Sequence, residues 1–198
     1  MQKEIEVKIQ ISDVQLKKLE HWLDSNSCFL GKVHHCEYYL NNPNASFTFI
    51  APEGYKDSRY YLRIRHCKEK GDSLCLKKWH GDQMGKTRYC DEWEINVSDV
   101  ETALQMLKEL GFTEITCMQK VRRIYKADVF EIVIDEVKGL GIFIEFELKE
   151  YADDIDDALA RIYDFIKQVG ITTFKKQERG YVSMIWNPRY DFGEKINL

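Results

Sequence analysis

The sequence predicts an α+β protein: a closed eight-stranded antiparallel β-barrel with amphipathic helices packed outside it. Three observations lead there. Eight short, mostly alternating segments fall near residues 3–10, 33–40, 59–67, 73–79, 87–97, 119–127, 129–136 and 142–150. Three further segments space their apolar residues three or four apart, as a helix with one buried face requires. Finally, the polar side of the strands carries matched acids and bases, which a face that simply meets water does not need.

The first strand sets the pattern. Alternate side chains point to opposite faces, so Glu4, Glu6 and Lys8 share one side while Ile5, Val7 and Ile9 share the other. The arrangement recurs where Glu145, Glu147 and Lys149 alternate with Ile144, Phe146 and Leu148. The helices are carried by Val14-Leu16-Leu19-Leu23, Val100-Ala103-Leu104-Leu107 and Ile155-Leu159-Ile162-Ile166. Ser12 with Gln15 and Ser98 with Glu101 fit reciprocal capping boxes. Asp153, Asp154, Asp156 and Asp157 fit the start of the third helix, where negative charge is favoured. A further helix is expected near 175–187. The polar stretch 41–58, with Pro43 and Pro52, reads as a long surface loop carrying the weak apolar run Phe47-Thr48-Phe49-Ile50.

Composition bounds the function. A chain of 198 residues with 44% hydrophobic content can bury one good core, so a single domain over 1–198 is expected. Ile9-Gln10-Ile11-Ser12-Asp13-Val14 matches Ile95-Asn96-Val97-Ser98-Asp99-Val100, which suggests an internal pseudo-twofold between 1–86 and 87–198. No long apolar run exists and the chain opens on a charged strand; no signal peptide or membrane span is expected, and the cytoplasm is the expected location. Cys28, Cys36, Cys67, Cys75, Cys90 and Cys117 lack Cys-x-x-Cys spacing and read as reduced thiols. A net charge of −4 argues against a general nucleic-acid binder but permits a local basic cavity.

The helices must lay their apolar faces on the apolar side of the strands, which leaves the charged side facing the other way. If eight strands close, that side becomes the wall of a cavity wide enough for one small ligand. Besides Glu4, Glu6 and Lys8 it carries Arg63 and Arg65, Lys77, Arg88 with Glu92 and Glu94, Lys120 and Arg122, Asp135, and Glu145, Glu147 and Lys149. The planar fork of arginine suits bidentate contact with phosphate oxygens. Clustered carboxylates suit Mg²⁺ or Mn²⁺, which prefer oxygen ligands and share them with phosphates. A metal–polyphosphate complex satisfies both. Glu92 and Glu94 fit equally well as salt-bridge partners of the arginines. Trp79 and Tyr61 fit packing as well as base stacking, and His66 and His80 fit ordinary surface or core positions.

These residues resemble the CYTH, or triphosphate tunnel metalloenzyme, family over essentially the whole chain. The resemblance rests on Glu4-x-Glu6-x-Lys8, Arg63-x-Arg65, Lys77, Arg88, Glu92-Trp-Glu94, Lys120-x-Arg122-Arg123-x-Tyr125, Asp135-Glu-Val-Lys-Gly-Leu-Gly141 and Glu145-Phe-Glu147. It implies an eight-stranded tunnel that grips a triphosphate, with Glu4, Glu6, Glu145 and Glu147 as ligands of Mg²⁺ or Mn²⁺ and Asp135 in support. Glu4, Glu6, Lys8 and Asp135 are then the catalytic set. Lys8, Arg63, Arg65, Lys77, Arg88, Lys120 and Arg122 hold phosphates, joined by Lys176 or Arg179. Three departures stand out: Cys36-Glu37-Tyr38-Tyr39 replaces Asp-x-Tyr-Phe, Cys75 replaces a threonine, and Arg179-Gly180-Tyr181 replaces Arg-Ser-Tyr. Motif order and length are most similar to the class IV adenylyl cyclase branch, implying conversion of ATP to cyclic AMP and pyrophosphate. Hydrolysis of inorganic triphosphate, thiamine triphosphate or a nucleotide is the alternative, and a non-catalytic nucleotide or polyphosphate sensor the second. The partner expected is a small triphosphate, with neither nucleic acid nor membrane, and a homodimer is open.

Overall fold

The computed structural model describes residues 3–81, 87–152 and 154–198. Its strands and helices follow in the order β1 (Lys3–Glu4), β2 (Glu6–Gln10), α1 (Asp13–Asn26), β3 (Cys28–Asn41), β4 (Thr48–Ile50), β5 (Lys56–Ser58), β6 (Tyr61–Cys67), β7 (Asp72–Gly81), β8 (Thr87–Val97), α2 (Val100–Glu109), β9 (Thr113–Ala127), β10 (Phe130–Val137), β11 (Gly141–Leu148), α3 (Ile155–Gln168), β12 (Thr173–Gln177), α4 (Tyr181–Trp186) and β13 (Gly193–Asn197). Among the described residues, no helix is long and apolar enough to cross a membrane.

One large antiparallel sheet runs β1-β8-β7-β6-β3-β9-β10-β11-β2-β12-β13. That is eleven strands, or ten when residues 3–10 are counted as one interrupted strand, and not the eight expected. Nor is the sheet the closed barrel expected from the sequence. Ile5 interrupts the N-terminal strand, and β8 pairs only with Lys3 and Glu4 before it. Beyond Ile5 the two edges of β2 are taken by β11 and by β12, where Lys175 and Lys176 face Gln10 and Ile9. The N-terminal segment therefore touches both arms of the sheet without a continuous ladder to β8.

The apolar faces go where alternation sends them. Ile5, Val7, Ile9, Ile132, Ile134, Ile144, Phe146 and Leu148 join Leu19 and Leu23 of α1 and Ala158, Ile162, Phe165 and Ile166 of α3 in one core. Truncating a fully buried residue such as Ile162 to alanine costs about 2–5 kcal/mol. By contrast, α2 buries no residue. Ser12 accepts from Gln15 N while the Gln15 side chain accepts from Ser12 N, the capping box expected. At the second site Asp99, not Ser98, is the cap, accepting from Glu101 N at 3.0 Å. Asp154 caps α3, accepting from the amides of Asp156 and Asp157, while Asp153 lies outside the described residues.

Other expectations change. β3 and β9 are longer than alternation showed because they pair with each other along most of their length, through a slip between Phe29 and Gly31. Gly31 sits there at φ 135°, where a side chain would be strained. The loop expected at 41–58 contains the hairpin β4–β5. The helix expected at 175–187 divides into β12, whose Lys175 and Lys176 pair with β2, and the shorter α4.

Candidate functional site

The inward face of the sheet is layered. Toward one end Val33, Cys67, Ile124 and Val133 form a small apolar cluster. Toward the other, Tyr39, Tyr61, Met118, Val137 and Phe143 pack against Tyr181, Val182 and Met184 of α4. Because side chains on one face recur every second residue, the positions between these clusters on β3, β6, β9 and β10 are 35 and 37, 63 and 65, 120 and 122, and 135. All but His35 are charged, and Glu37, Arg63, Arg65, Lys120 and Arg122 border a cavity of ≈ 240 Å³ that also takes in Glu4, Glu6, Lys8, Lys77, Glu92, Glu94, Glu131, Glu145, Glu147 and Lys149.

Most of these charges are paired. Glu37, fully buried, accepts from Tyr39 Oη at 2.7 Å, Arg65 Nε at 2.8 Å and Arg63 Nη1 at 3.4 Å. Burial alone would raise its carboxyl, but Arg63, Lys120 and Arg65 hold it well below the ordinary range. Asp135 accepts from Lys120 Nζ at 3.0 Å, Arg122 Nε at 2.7 Å and Tyr181 Oη at 3.0 Å. Glu145 accepts from Arg122 Nη2 at 2.5 Å and Tyr181 Oη at 3.0 Å and lies 3.1 Å from Lys8 Nζ. Against burial, Arg122 and its neighbours keep Asp135 and Glu145 ionised. Lys120 is lowered by burial and by Arg122 beside it. Lys77 bonds Glu4 at 2.5 Å, and overcomes the effect of burial to hold that carboxyl at about 2. The Nε of Arg63 is buried with no hydrogen-bond partner among the described residues.

A second region of the same cavity is short of positive charge. Glu6 and Glu147 face each other across β2 and β11, where like charges repel. Burial, Glu145 and Glu4 raise Glu6 to about 7 despite Lys8. Burial and Glu4 raise Glu147 to about 7 despite Lys149, 2.7 Å away. Carboxyls so raised fit a divalent cation, whose charge would favour their ionised form. On β7 and β8 the ligand atoms of Cys75, Glu92 and Glu94 lie within 4.8 Å of one another. Cys75 is a poorer donor, because burial pushes its thiol up to about 12 and it already donates to Glu92 at 3.1 Å.

The structure thus gathers Glu4, Glu6, Lys8, Arg63, Arg65, Lys77, Lys120, Arg122, Glu145 and Glu147 around one cavity, with Asp135 bonded behind them. It does not bring Arg88 there; that side chain pairs with Asp156 at the start of α3. Lys176 and Arg179 border an adjoining cavity, where Lys176 is 2.9 Å from Glu178 and Arg179 is 3.2 Å from Asp57. Glu92 and Glu94 do stand beside the arginines, 3.7 Å from Arg63 and Arg65 respectively. His66 and His80 pair with Asp72 and Asp91 instead of entering the cavity. Sequence reasoning missed Glu37 and Tyr181. The parity of position 37, two before Tyr39, puts Glu37 on the cavity face. Tyr181 follows Gly180, and nothing local in the sequence shows that α4 turns it inward.

The CYTH domain family model matches residues 2–181 of this chain. A Methanocaldococcus jannaschii protein named as a putative adenylate cyclase is 31% identical over 189 residues, covering 91% of this chain and 97% of that one. Among solved structures, protein PH1819 of Pyrococcus horikoshii superposes with a TM-score of 0.73 at 25% identity, over 94% of this chain and 99% of that one. A Hippeastrum protein, described as a putative adenylyl cyclase with a dominant triphosphatase activity, superposes with a TM-score of 0.64 at 14% identity, over 96% of this chain and 98% of that one.

Proposed function

This chain belongs to the CYTH domain family, and from that premise we propose that it is a divalent-metal-dependent enzyme acting on a triphosphate, converting ATP to cyclic AMP and pyrophosphate. The observation that carries the reading is the juxtaposition, in one cavity, of a cationic belt with a carboxylate pair raised to about 7. Arg63, Arg65, Lys77, Lys120, Arg122 and Lys8 would hold phosphate oxygens. The unpartnered Arg63 Nε supplies a donor that a phosphate oxygen would satisfy. Glu6 and Glu147, with Glu4 beside them, are the residues fitted to hold Mg²⁺ or Mn²⁺; bound there, such an ion neutralises phosphate charge and favours an oxygen nucleophile. Asp135 and Glu145 take a different part, because their oxygens are engaged by Lys120, Arg122, Lys8 and Tyr181. They hold the bases upright in the geometry a triphosphate needs, so that little reorganisation accompanies charge development.

In the cyclisation, the ribose O3′ forms a bond to the α-phosphorus, the bond from that phosphorus to the bridging oxygen breaks, pyrophosphate leaves, and the hydroxyl proton passes to solvent. The name of the Methanocaldococcus relative favours this reaction. Hydrolysis is the second reading, raised by the triphosphatase activity described for the Hippeastrum protein on the same fold. Incubation with ATP and Mn²⁺, resolved by chromatography, separates them. Cyclic AMP with equimolar pyrophosphate is expected; ADP with orthophosphate, or cleavage of inorganic triphosphate without cyclic product, would make water the nucleophile.

A further inference from the structure

The face of the sheet turned away from the cavity carries two thiols in contact. β3 and β9 pair with Cys36 across from Gln119, Glu37 from Met118 and Tyr38 from Cys117. Glu37 and Met118 point to the cavity side, so alternation puts Cys36 and Cys117 together on the outer one, as diagonal neighbours on adjacent strands. Their sulfurs lie 3.8 Å apart although the residues are 81 positions apart in sequence. A disulfide needs about 2.05 Å, which leaves roughly 1.8 Å to be closed by side-chain rotation and a small shift of the strands. The other four cysteines are placed differently. Cys67, Cys75 and Cys90 are buried, and each donates to a carboxylate, those of Glu69, Glu92 and Glu4 respectively. Cys28 is exposed, with its sulfur against the Phe29 carbonyl. Among the described residues, Cys36 and Cys117 are thus the one pair of thiols in contact, the first half-buried and the second exposed.

We propose that Cys36 and Cys117 form a reversible redox site, in which a small-molecule disulfide such as oxidised glutathione converts the two thiols to a disulfide that clamps β3 to β9. One protein thiol gives its proton to water and, as thiolate, attacks a sulfur of the small disulfide; a mixed disulfide forms, and one small thiolate leaves and takes up a proton. The second protein thiol likewise loses its proton, attacks the protein sulfur of the mixed disulfide and expels the second small thiolate, which is protonated in turn. Two protein thiols are thereby oxidised to one disulfide, and one small disulfide is reduced to two thiols. Burial and the contact with Cys36 push the Cys117 thiol up to about 11, so exchange should quicken as pH rises from 7 to 9. An exposed bridge of this kind is of the labile class that ambient thiols reopen. It stays outside the cavity, while the strands it joins carry Glu37, Lys120 and Arg122 inward.

The test incubates the native protein with oxidised glutathione at pH 8, alkylates the remaining thiols and maps the products by mass spectrometry. A peptide pair linked through Cys36 and Cys117 and released by dithiothreitol is expected, while Cys28 carries at most a glutathione adduct. Closing so long a loop should also raise the melting midpoint by about 5 °C or more. Cys117→Ser, a change at an exposed position, should instead stop at a glutathione adduct on Cys36 with no such rise. Separate adducts on Cys36 and Cys117 without a link, both thiols left reduced while Cys28 reacts, or a linked form melting no higher than the reduced one would overturn the proposal.

Discussion

Two regions of one cavity wall, a few residues apart on the same strands, are built on opposite electrostatic terms. Around Arg122 every buried carboxylate has its cation, with Asp135 and Glu145 ionised and bridged by the guanidinium at 2.6 Å and 2.5 Å. Around Glu6 the carboxylates outnumber the cations within reach, and Glu6 and Glu147 are each raised to about 7. The contrast separates pre-organisation from incompleteness. The paired region keeps its geometry without a ligand, while the acidic region has a charge deficit that a divalent cation would fill. It also predicts opposite signs for two superficially similar substitutions.

The largest effect is expected in the paired region. Arg122→Ala would leave Asp135 and Glu145 buried with too few partners, and breaking a buried ion pair from one side costs about 3–5 kcal/mol. Urea denaturation measures this; a loss below about 1 kcal/mol would mean that water or neighbouring bases repair the network. In the acidic region the sign reverses. Because the folded pKa of Glu6 lies near 7, above the ordinary 4.5, the folded state holds the proton more tightly than the unfolded one. Its penalty is absent at low pH and grows as pH rises through that window. At pH 8 without metal, Glu6→Gln should therefore stabilise the fold by roughly 3 kcal/mol, whereas at pH 4 the two proteins should melt alike; assayed with Mg²⁺ or Mn²⁺ present, the same variant should lose turnover. Destabilisation at pH 8 would show that Glu6 is adequately compensated.

Ligand binding sharpens the same contrast at a smaller scale. Arg63→Ala should weaken inorganic tripolyphosphate by about 1.5–3 kcal/mol, the range for hydrogen bonds to charged groups; wild-type affinity in a calorimetric titration would remove the belt from the phosphate site. His35 offers a smaller effect. Burial, with Arg65 and Lys120 nearby, depresses its imidazole to about 3, so the unfolded chain takes up a proton first as pH falls below 6.5. That costs the fold roughly 2 kcal/mol between pH 7 and pH 5, and His35→Gln should be correspondingly less acid-sensitive over that interval. Parallel stability curves for the two proteins would argue against a neutral, buried imidazole.

The two regions were not equally legible in the sequence. Alternation in short strands placed Glu4, Glu6 and Lys8 opposite Ile5, Val7 and Ile9, and the buried layer under α1 and α3 follows that pattern. The same parity gathered the arginines and most of the acids. What alternation does not encode is strand-to-strand register: the pairing of β12 with β2 decides how the sheet ends, and nothing local in Lys175 or Lys176 announces it. Arg88 shows the same limit, having the right parity but lying far enough along β8 to meet Asp156 instead of the cavity. The raised pair is a third case, because Glu6 and Glu147 repel only once β11 is laid beside β2.

The central claim, that the acidic region is completed by a divalent cation, is tested most directly by calorimetric titration of Mg²⁺ at pH 7 in two buffers of different ionisation enthalpy. With Glu6 and Glu147 each near half-protonation, metal binding should release about one proton per ion, so the apparent heat should differ between buffers, and the difference should shrink in Glu6→Gln. Binding heats independent of buffer, or a buffer dependence unchanged in that variant, would contradict the assignment of Glu6 and Glu147 to the metal.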